Sequence, residues 1–397
     1  VIQFTSGTTA RPKGAVLTHR AIMAGLHNVA TATDLAPDTR TASWLPFFHD
    51  MGLMYYLLLV YVAGCTGHVL PTEAFAEDPT QWFRLLTRAG AQITGGPSSA
   101  WGAALRSALR SQEAFDLSSL RIGSHAAETI DPAVLDRLTE SADTLHLDPT
   151  AIASGYGMAE ASLALTVSRP GELLRIDQVD LNELAASGTA VPASAEPTKR
   201  IASCGPPIPG VRLRIMGPEG PLDERRIGEI HAQGPSMMTG YVGDPSDPFL
   251  DSWFPTGDLG YMVEGELFVT GRAKDVIIVM GRNYSPEDIE WAAARVEGVR
   301  PGRCVAFAPA NAPDGEIILV AESRDGAEPA QLPRLVRQQV LNSMGLTART
   351  IIIVPKGTIT KTTSGKLQRA AIRDAYARGH LQAIALATSG RAASESQ

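Results

Sequence analysis

Five short polar motifs are strung in order along nearly the whole chain. They read Thr5-Ser-Gly-Thr-Thr-Ala-Arg-Pro-Lys13-Gly14, Tyr156-Gly-Met-Ala-Glu160, Thr256-Gly-Asp258, Gly271-Arg-Ala-Lys274-Asp275 and Ser364-Gly-Lys366. Singly, each is a pattern that chance supplies in a long chain. Together they call for a fold that gathers distant loops in one place. The sequence between them has that form. Ala15-Val-Leu reads as a strand, and Thr18 caps a helix reaching about Thr33. Ala42–Phe47, Gln92–Thr94, Leu120–Gly123 and Ala151–Ala153 read as further strands, with helices at Pro79–Arg88 and from Asp131. Strands alternating with helices predict an α/β domain with crossover connections.

The pattern changes further on. From about Leu184 to Thr198 the chain is rich in Ala, Ser and Pro without apolar period, which reads as a surface excursion. Val211–Ile215, Gly228–Ala232 and Glu266–Thr270 are short strands separated by turns, so a β-rich subdomain is expected from about residue 201. After a break near Gly271–Lys274 come Val276–Met280, a helix from Pro286, strands near Val305 and Ile317, a helix at Leu332–Met344 and a strand at Thr350–Val354. The expected architecture is therefore a large α/β N-terminal domain with a β-rich subdomain, followed by a small, mobile α+β C-terminal domain. The boundaries read as 1–271 and 272–382, with a disordered tail over 383–397. At 397 residues the chain exceeds what one core usually serves.

A net charge of −7 argues against a nucleic-acid partner, which needs a basic stripe. Cys65, Cys204 and Cys304 are far apart and odd in number, which offers no disulfide framework or zinc site and fits a reducing, cytoplasmic setting. Met51–Thr72 carries no Asp, Glu, Lys or Arg, yet Gly52, Gly64, Gly67 and Pro71 interrupt it. A buried helix to about Tyr61, a Gly turn and a strand at His68–Leu70 explain it better than a membrane span. The chain opens on Val1 and runs straight into a strand and loop, so it reads as a piece whose upstream part is missing, and that absence alone could leave it inactive.

In this order the motifs resemble those of the adenylate-forming, acyl-activating (AMP-binding) enzyme superfamily, most closely its fatty acyl-AMP ligases. The likeness runs from residue 1 to about 375. It implies ATP and Mg²⁺ as cofactors. In Thr5–Gly14 the backbone, Thr5, Ser6, Gly7, Thr8, Thr9 and Lys13 would cradle phosphates as an anion nest. Taken alone the segment reads as a Ser/Thr/Gly turn, and it is not a Walker A loop because the Gly-Lys-Ser/Thr ending is absent. Ala10 stands where most of the superfamily has Gly. Gly155, Tyr156 and Gly157 would meet adenine, with Tyr156 stacking on it, and Glu160 would hold Mg²⁺. Ala127 and Glu128 would run along the base, although Ala126 replaces a usual Gly. Asp258 has two acceptor oxygens for the two ribose hydroxyls, and Arg272 would lie beside the same ribose and phosphate. Lys274 matches the hinge about which the small domain turns. Lys366, on a Gly/Ser/Thr loop with Lys361 as a nearby decoy, would bridge the attacking carboxylate and the α-phosphate.

His49, in Pro46-Phe-Phe-His-Asp-Met-Gly52, resembles the family's acyl-pocket segment. An acid without an α-amino group is favoured, since Asp50 follows the His rather than taking the place seen in amino-acid-activating relatives. The fatty acyl-AMP branch is further indicated by Gly271–Glu290 and by the excursion after Glu172, near which that branch carries an insertion that hinders transfer to coenzyme A. The implied activity is ATP-dependent activation of a fatty acid to acyl-AMP with release of pyrophosphate. A carrier protein on a separate chain then takes the acyl group on its phosphopantetheine thiol, feeding polyketide or lipopeptide synthesis. A fatty acyl-CoA ligase is the alternative within the family. A non-catalytic nucleotide-binding or carrier-docking protein is the alternative outside it.

Overall fold

The computed structural model describes residues 1–5, 12–309, 315–362 and 365–388. Its centre is a six-stranded sheet in the order Thr66–Val69, Arg40–Ser43, Ile93–Gly96, Ile122–His125, Ile152–Gly157 and Ala164–Val167. The first five strands are parallel and the last is antiparallel. Helices feed it as the sequence signals predict. Thr18 caps His19–Ala32 by accepting from the Ala21 N–H (3.1 Å), and Asp131 caps Pro132–Glu140 by accepting from Ala133 (2.9 Å). Trp44, Trp82 and Trp101, all buried, form an aromatic column beneath the sheet's carboxyl ends, with Phe75 stacked on Trp44 at 3.8 Å.

The uncharged stretch is a nine-residue π-helix, Met51–Leu59, continued by Val60–Ala63 and stopped by left-handed Gly64. Gly52 starts it because a Cβ there would lie 2.2 Å from the Pro46 carbonyl oxygen. Among the described residues no helix is long and apolar enough to cross a membrane. Some expected strands shift: Ala42–Phe47 is observed as Arg40–Ser43, His68–Leu70 as Thr66–Val69, and Leu120–Gly123 as Ile122–His125.

The β-rich subdomain is a five-stranded antiparallel sheet ordered Gly220–Pro221, Arg212–Gly217, Gly228–Gln233, Phe254–Val263, Glu266–Arg272. The excursion is not irregular. It is a hairpin, Ile176–Asp180 with Thr198–Ala202, carrying a helix at Leu181–Ser187. Leu181 and Ala185 lie one turn apart and are buried in the core of the small C-terminal domain, whereas Leu184 joins Val179, Ile201, Tyr261 and Phe268 in the β-rich subdomain. The helix is thus a wedge between them, and the Lys199–Asp288 ion pair (2.6 Å) clasps its base to the small domain.

That domain is built on a sheet ordered Val299–Phe307, Ile318–Ser323, Thr350–Val354, Ala385–Thr388. The last strand corrects the expected tail: Ala385–Thr388 pairs antiparallel with Thr350–Ile353, and residues 389–397 lie outside the described residues. Side chains alternate across the sheet. Cys304, Ala306, Leu319 and Ile351 face the helices Pro286–Ala294 and Leu332–Met344, while Val305, Phe307, Val320 and Ile352 face Ile359 and Ile372. Arg369 pins the remaining helix, Arg369–Ala377. Its guanidinium meets Glu290 and Glu287 (both 2.9 Å) and Asp275 (3.5 Å). Burial pushes Glu290 up to about 7 even against Arg369, and the neighbouring Glu287 charge adds to the rise. Removing that cation strands buried acids, which typically costs about 3–5 kcal/mol. Arg369→Ala is therefore expected to move the small domain's urea-unfolding transition to much lower denaturant, and an unchanged transition contradicts this assignment.

Candidate active site

The first motif is flanked by two paired strands. Ile2–Phe4 pairs antiparallel with Gly14–Val16, and next to them the Thr5 N–H donates to the Lys13 carbonyl (2.8 Å) and the Lys13 N–H to Thr5 Oγ1 (3.2 Å). Ser6, Gly7, Thr8 and Thr9 lie outside the described residues. The Lys13 ammonium sits 4.6 Å over the ring of Tyr241, whose hydroxyl donates to Glu160 (2.8 Å). Tyr241 is held there by bridging to Ala15, while the Met238 N–H donates to the Glu160 carbonyl (2.7 Å). One side chain therefore joins the phosphate-loop cation to the expected metal carboxylate. No signal in the sequence pointed to Tyr241.

The nucleotide motifs converge for a reason of register. Asp258 and Arg272 are direct cross-strand partners on Phe254–Val263 and Glu266–Arg272, so their side chains share a face, and Arg272 Nε lies 3.1 Å from Asp258 Oδ1. The other oxygen, Oδ2, accepts from the Tyr156 hydroxyl (2.7 Å). Burial raises the Asp258 pKa, with Arg272 the chief opposing charge. Burial and then the Asp258 charge push the Tyr156 phenol far above its ordinary value. Tyr156 is the penultimate residue of the strand Ile152–Gly157, where Gly157 leaves no room for a side chain: a Cβ would be 2.0 Å from the Leu163 carbonyl oxygen.

Lys366 enters the same cleft from the small domain. Thr362 and Lys366 close its loop, with the Thr362 N–H donating to the Lys366 carbonyl (2.8 Å) and the Lys366 N–H to Thr362 Oγ1 (3.1 Å). Gly365, at φ +92°, lets the loop turn against Pro97 and Ser99; a Cβ on it would lie 3.9 Å from each. Burial lowers the Lys366 pKa, Asp50, Glu128 and Asp258 work against that, and the Arg272 charge adds to it. Glu128 accepts from the Ser99 N–H (2.6 Å), and burial raises its pKa, with Lys361 the first charge opposing this. Ala127, beside it, takes a left-handed φ of +70°. Lys361 is more than a decoy, since it lines the cleft too.

Glu128, Gly155, Tyr156, Gly157, Asp258, Arg272 and Lys366 therefore line one cleft of about 1830 Å³, larger than a typical ligand pocket of about 300–1,000 Å³ because it runs between the domains. His49 does not line it. It is buried behind Asp50 (Nδ1 to Oδ1, 2.8 Å), with Nε2 lacking a partner among the described residues. Lys274 is exposed in a single turn, Ala273–Asp275, between the last strand of the β-rich subdomain and Ile277, the first core residue of the small domain. Among the described residues there is no cluster of three or more His, Cys, Asp or Glu that could hold a metal.

The chain is similar to known proteins. Residues 1–242 match the family model of the AMP-binding enzymes, and residues 274–386 that of the AMP domain of Disco-interacting protein 2-like proteins. A putative acyl-CoA synthetase of Caulobacter vibrioides is 35% identical over 95% of this chain and 68% of its own. The medium-chain-fatty-acid–[acyl-carrier-protein] ligase JamA of Moorena producens is 31% identical over 96% of this chain and 68% of its own. A structure solved in work on fatty acyl-adenylate ligases of E. coli and L. pneumophila is 34% identical and superposes with a TM-score of 0.88, covering 96% of this chain and 70% of that one. The chain belongs to the AMP-binding enzyme family, the acyl-activating ligases that form adenylates from ATP.

Proposed function

We propose that the protein joins a fatty acid to AMP and passes the acyl group to the phosphopantetheine thiol of a carrier protein. The observation that carries the first step is the meeting of Tyr156, Asp258 and Arg272 with Lys366 from the other domain. Asp258 keeps free lone pairs on both oxygens and can accept from the two ribose hydroxyls. Tyr156, tied at its hydroxyl, offers a fixed ring to adenine. Lys366 stands where a carboxylate attacking the α-phosphorus builds negative charge, and its work is electrostatic because no protein nucleophile is needed. Glu160 suits Mg²⁺, which takes few protein carboxylates beside substrate oxygens, and Lys13 suits the outer phosphates.

The carrier-protein reading draws on the wedge. A small domain held by Leu181, Ala185 and the Lys199–Asp288 pair is biased toward the arrangement with Lys366 in the cleft. A bulky partner that binds both domains can offset that bias better than a free thiol. The likeness to JamA points the same way. The name of the Caulobacter relative favours the second reading, transfer to coenzyme A. Lys274 serves as the hinge in either case, dividing an adenylation domain from a lid that runs from about Asp275 through the strand Ala385–Thr388. The free thiols Cys65, Cys204 and Cys304 suit a cytoplasmic protein.

Fatty-acid-dependent exchange of pyrophosphate into ATP by the full-length protein tests the first step; absence of exchange with every acid length contradicts it. Lys366→Ala is expected to lower adenylation by about 100-fold or more while thioester formation from supplied acyl-AMP survives. Equal loss of both steps would make Lys366 structural. Because burial disfavours its ammonium form, the alkaline fall in adenylation rate is expected below the ordinary lysine range of about 10.4. A pH–rate profile with no such limb counts against Lys366 as the charge that matters. Lys199→Glu is expected to raise the rate of acyl transfer to coenzyme A relative to wild type, and an unchanged rate means that the wedge does not restrain the lid.

A further inference from the structure

A carboxylate stands in an apolar row of the small domain's sheet. Ile318, Val320 and Glu322 are alternate residues of the strand Ile318–Ser323 and so share one face, and the first two belong to the core that also holds Ile359 and Ile372. Glu322 takes the third place in that row and is fully buried, yet it does not line the cleft. Burying a charge is costly unless it is paired and hydrogen-bonded, so its partners say what it is for.

Glu322 Oε1 accepts from the backbone N–H groups of Gly357 (3.1 Å) and Ile359 (2.7 Å), and Oε2 accepts from Arg300 Nη1 (2.8 Å). The neighbouring strand is deformed to supply that cation. Val299 pairs with Ser323 and Cys304 with Ala321, so residues 300–303 bulge opposite Glu322 alone, with Gly302 at φ +65°. The bulge also brings Arg303 to the same stretch of chain, where its Nη1 donates to the Ile359 carbonyl. Ile359 is thus gripped at its N–H by a carboxylate and at its carbonyl by a guanidinium. It stands at the foot of the Lys366 loop. Directly beyond it the neck of that loop is closed: the Gln368 N–H donates to the Thr360 carbonyl (3.1 Å), Thr360 Oγ1 donates to Gln368 Oε1 (2.6 Å), and Lys361 bridges to Leu367. A shift at Ile359 is therefore passed through a tied neck to Lys366.

All of these contacts lie within the small domain, so a turn of that domain need not break any of them. A carboxylate suits the task, since one oxygen can take two converging N–H groups while the other holds a guanidinium. We propose that Glu322, supported by Arg300 and Arg303, is a positioning residue for Lys366: it fixes the foot of the loop and so sets where the ammonium stands beside the α-phosphate. This rests on the reading of Lys366 as the adenylation lysine.

The test uses the full-length protein and Glu322→Leu. Leucine continues the apolar row, and Arg300, whose side chain is 33% exposed, can turn to solvent. The kcat for acyl-AMP formation is expected to fall about tenfold to 100-fold while KM for ATP stays within about twofold, because a misplaced ammonium is felt in the transition state. Acyl transfer from supplied acyl-AMP is expected to change by less than about twofold, which loss of the small domain's fold would not allow. In a Lys366→Ala background the same substitution is expected to lower adenylation by no more than about twofold, since it acts through the lysine. Arg303→Met, which gives up the bond to the Ile359 carbonyl, is expected to show the same selective loss at about fivefold, and it decides the matter if Glu322→Leu does not fold. A folded Glu322→Leu that adenylates at the wild-type rate overturns the positioning role. So does an equal fall in acyl transfer, or a fall repeated in full without Lys366. Wild-type adenylation by Lys366→Ala itself would contradict the reading of Lys366, and this role with it.

Discussion

A buried ammonium has to be surrounded by negative charge or it loses its proton. Lys366 meets that condition in one place, among Asp50, Glu128 and Asp258, and each of these belongs to the large domain. The reverse also holds: Glu128 and Asp258 are pushed up by burial, and Lys366 is among the charges that bring them back. Neither half of the cleft is electrostatically complete alone. Two of the carboxylates that seat the lysine, Glu128 and Asp258, line the cleft itself, so the charge on one side of it depends on the other.

Beneath this lies a mechanical frame. Arg369 fixes the Lys366 loop to Glu287, Glu290 and Asp275, so the lysine is not carried on a loose tether. On the other flank the Leu181–Ser187 helix divides its apolar contacts between the two domains. Burying a leucine side chain is worth about 1.5–3 kcal/mol, so rotating the small domain away from Leu181 has a real cost. A partner that engages both domains can offset it.

Legibility in the sequence followed locality. The caps at Thr18 and Asp131 and the helix Leu332–Met344 were readable because neighbours along the chain determine them. Tyr156, Asp258, Arg272 and Lys366 were readable as members of an ordered motif set, and the structure brings them together. What escaped was set by distant partners. Pro255 and Gly257 disguise the strand Phe254–Val263, which Arg272 and the register of the next strand impose. The Leu181–Ser187 helix has no single apolar face because it serves two cores. Ala385–Thr388 is a strand only because Thr350–Ile353 offers an open edge. Tyr241 and Glu322 carry no local signal, since their meaning lies in what folding sets beside them.

The central claim is that Asp258, held by Tyr156 and Arg272, receives a ribose. Calorimetric titration of AMP against its 2′-deoxy and 3′-deoxy forms tests it most directly, in wild type and in Asp258→Ala. Loss of a hydrogen bond to a charged group predicts that each deoxy form binds wild type about tenfold to 100-fold more weakly than AMP. The variant is predicted not to tell the three apart. Equal affinities in wild type, or a preference that survives in Asp258→Ala, would contradict the account.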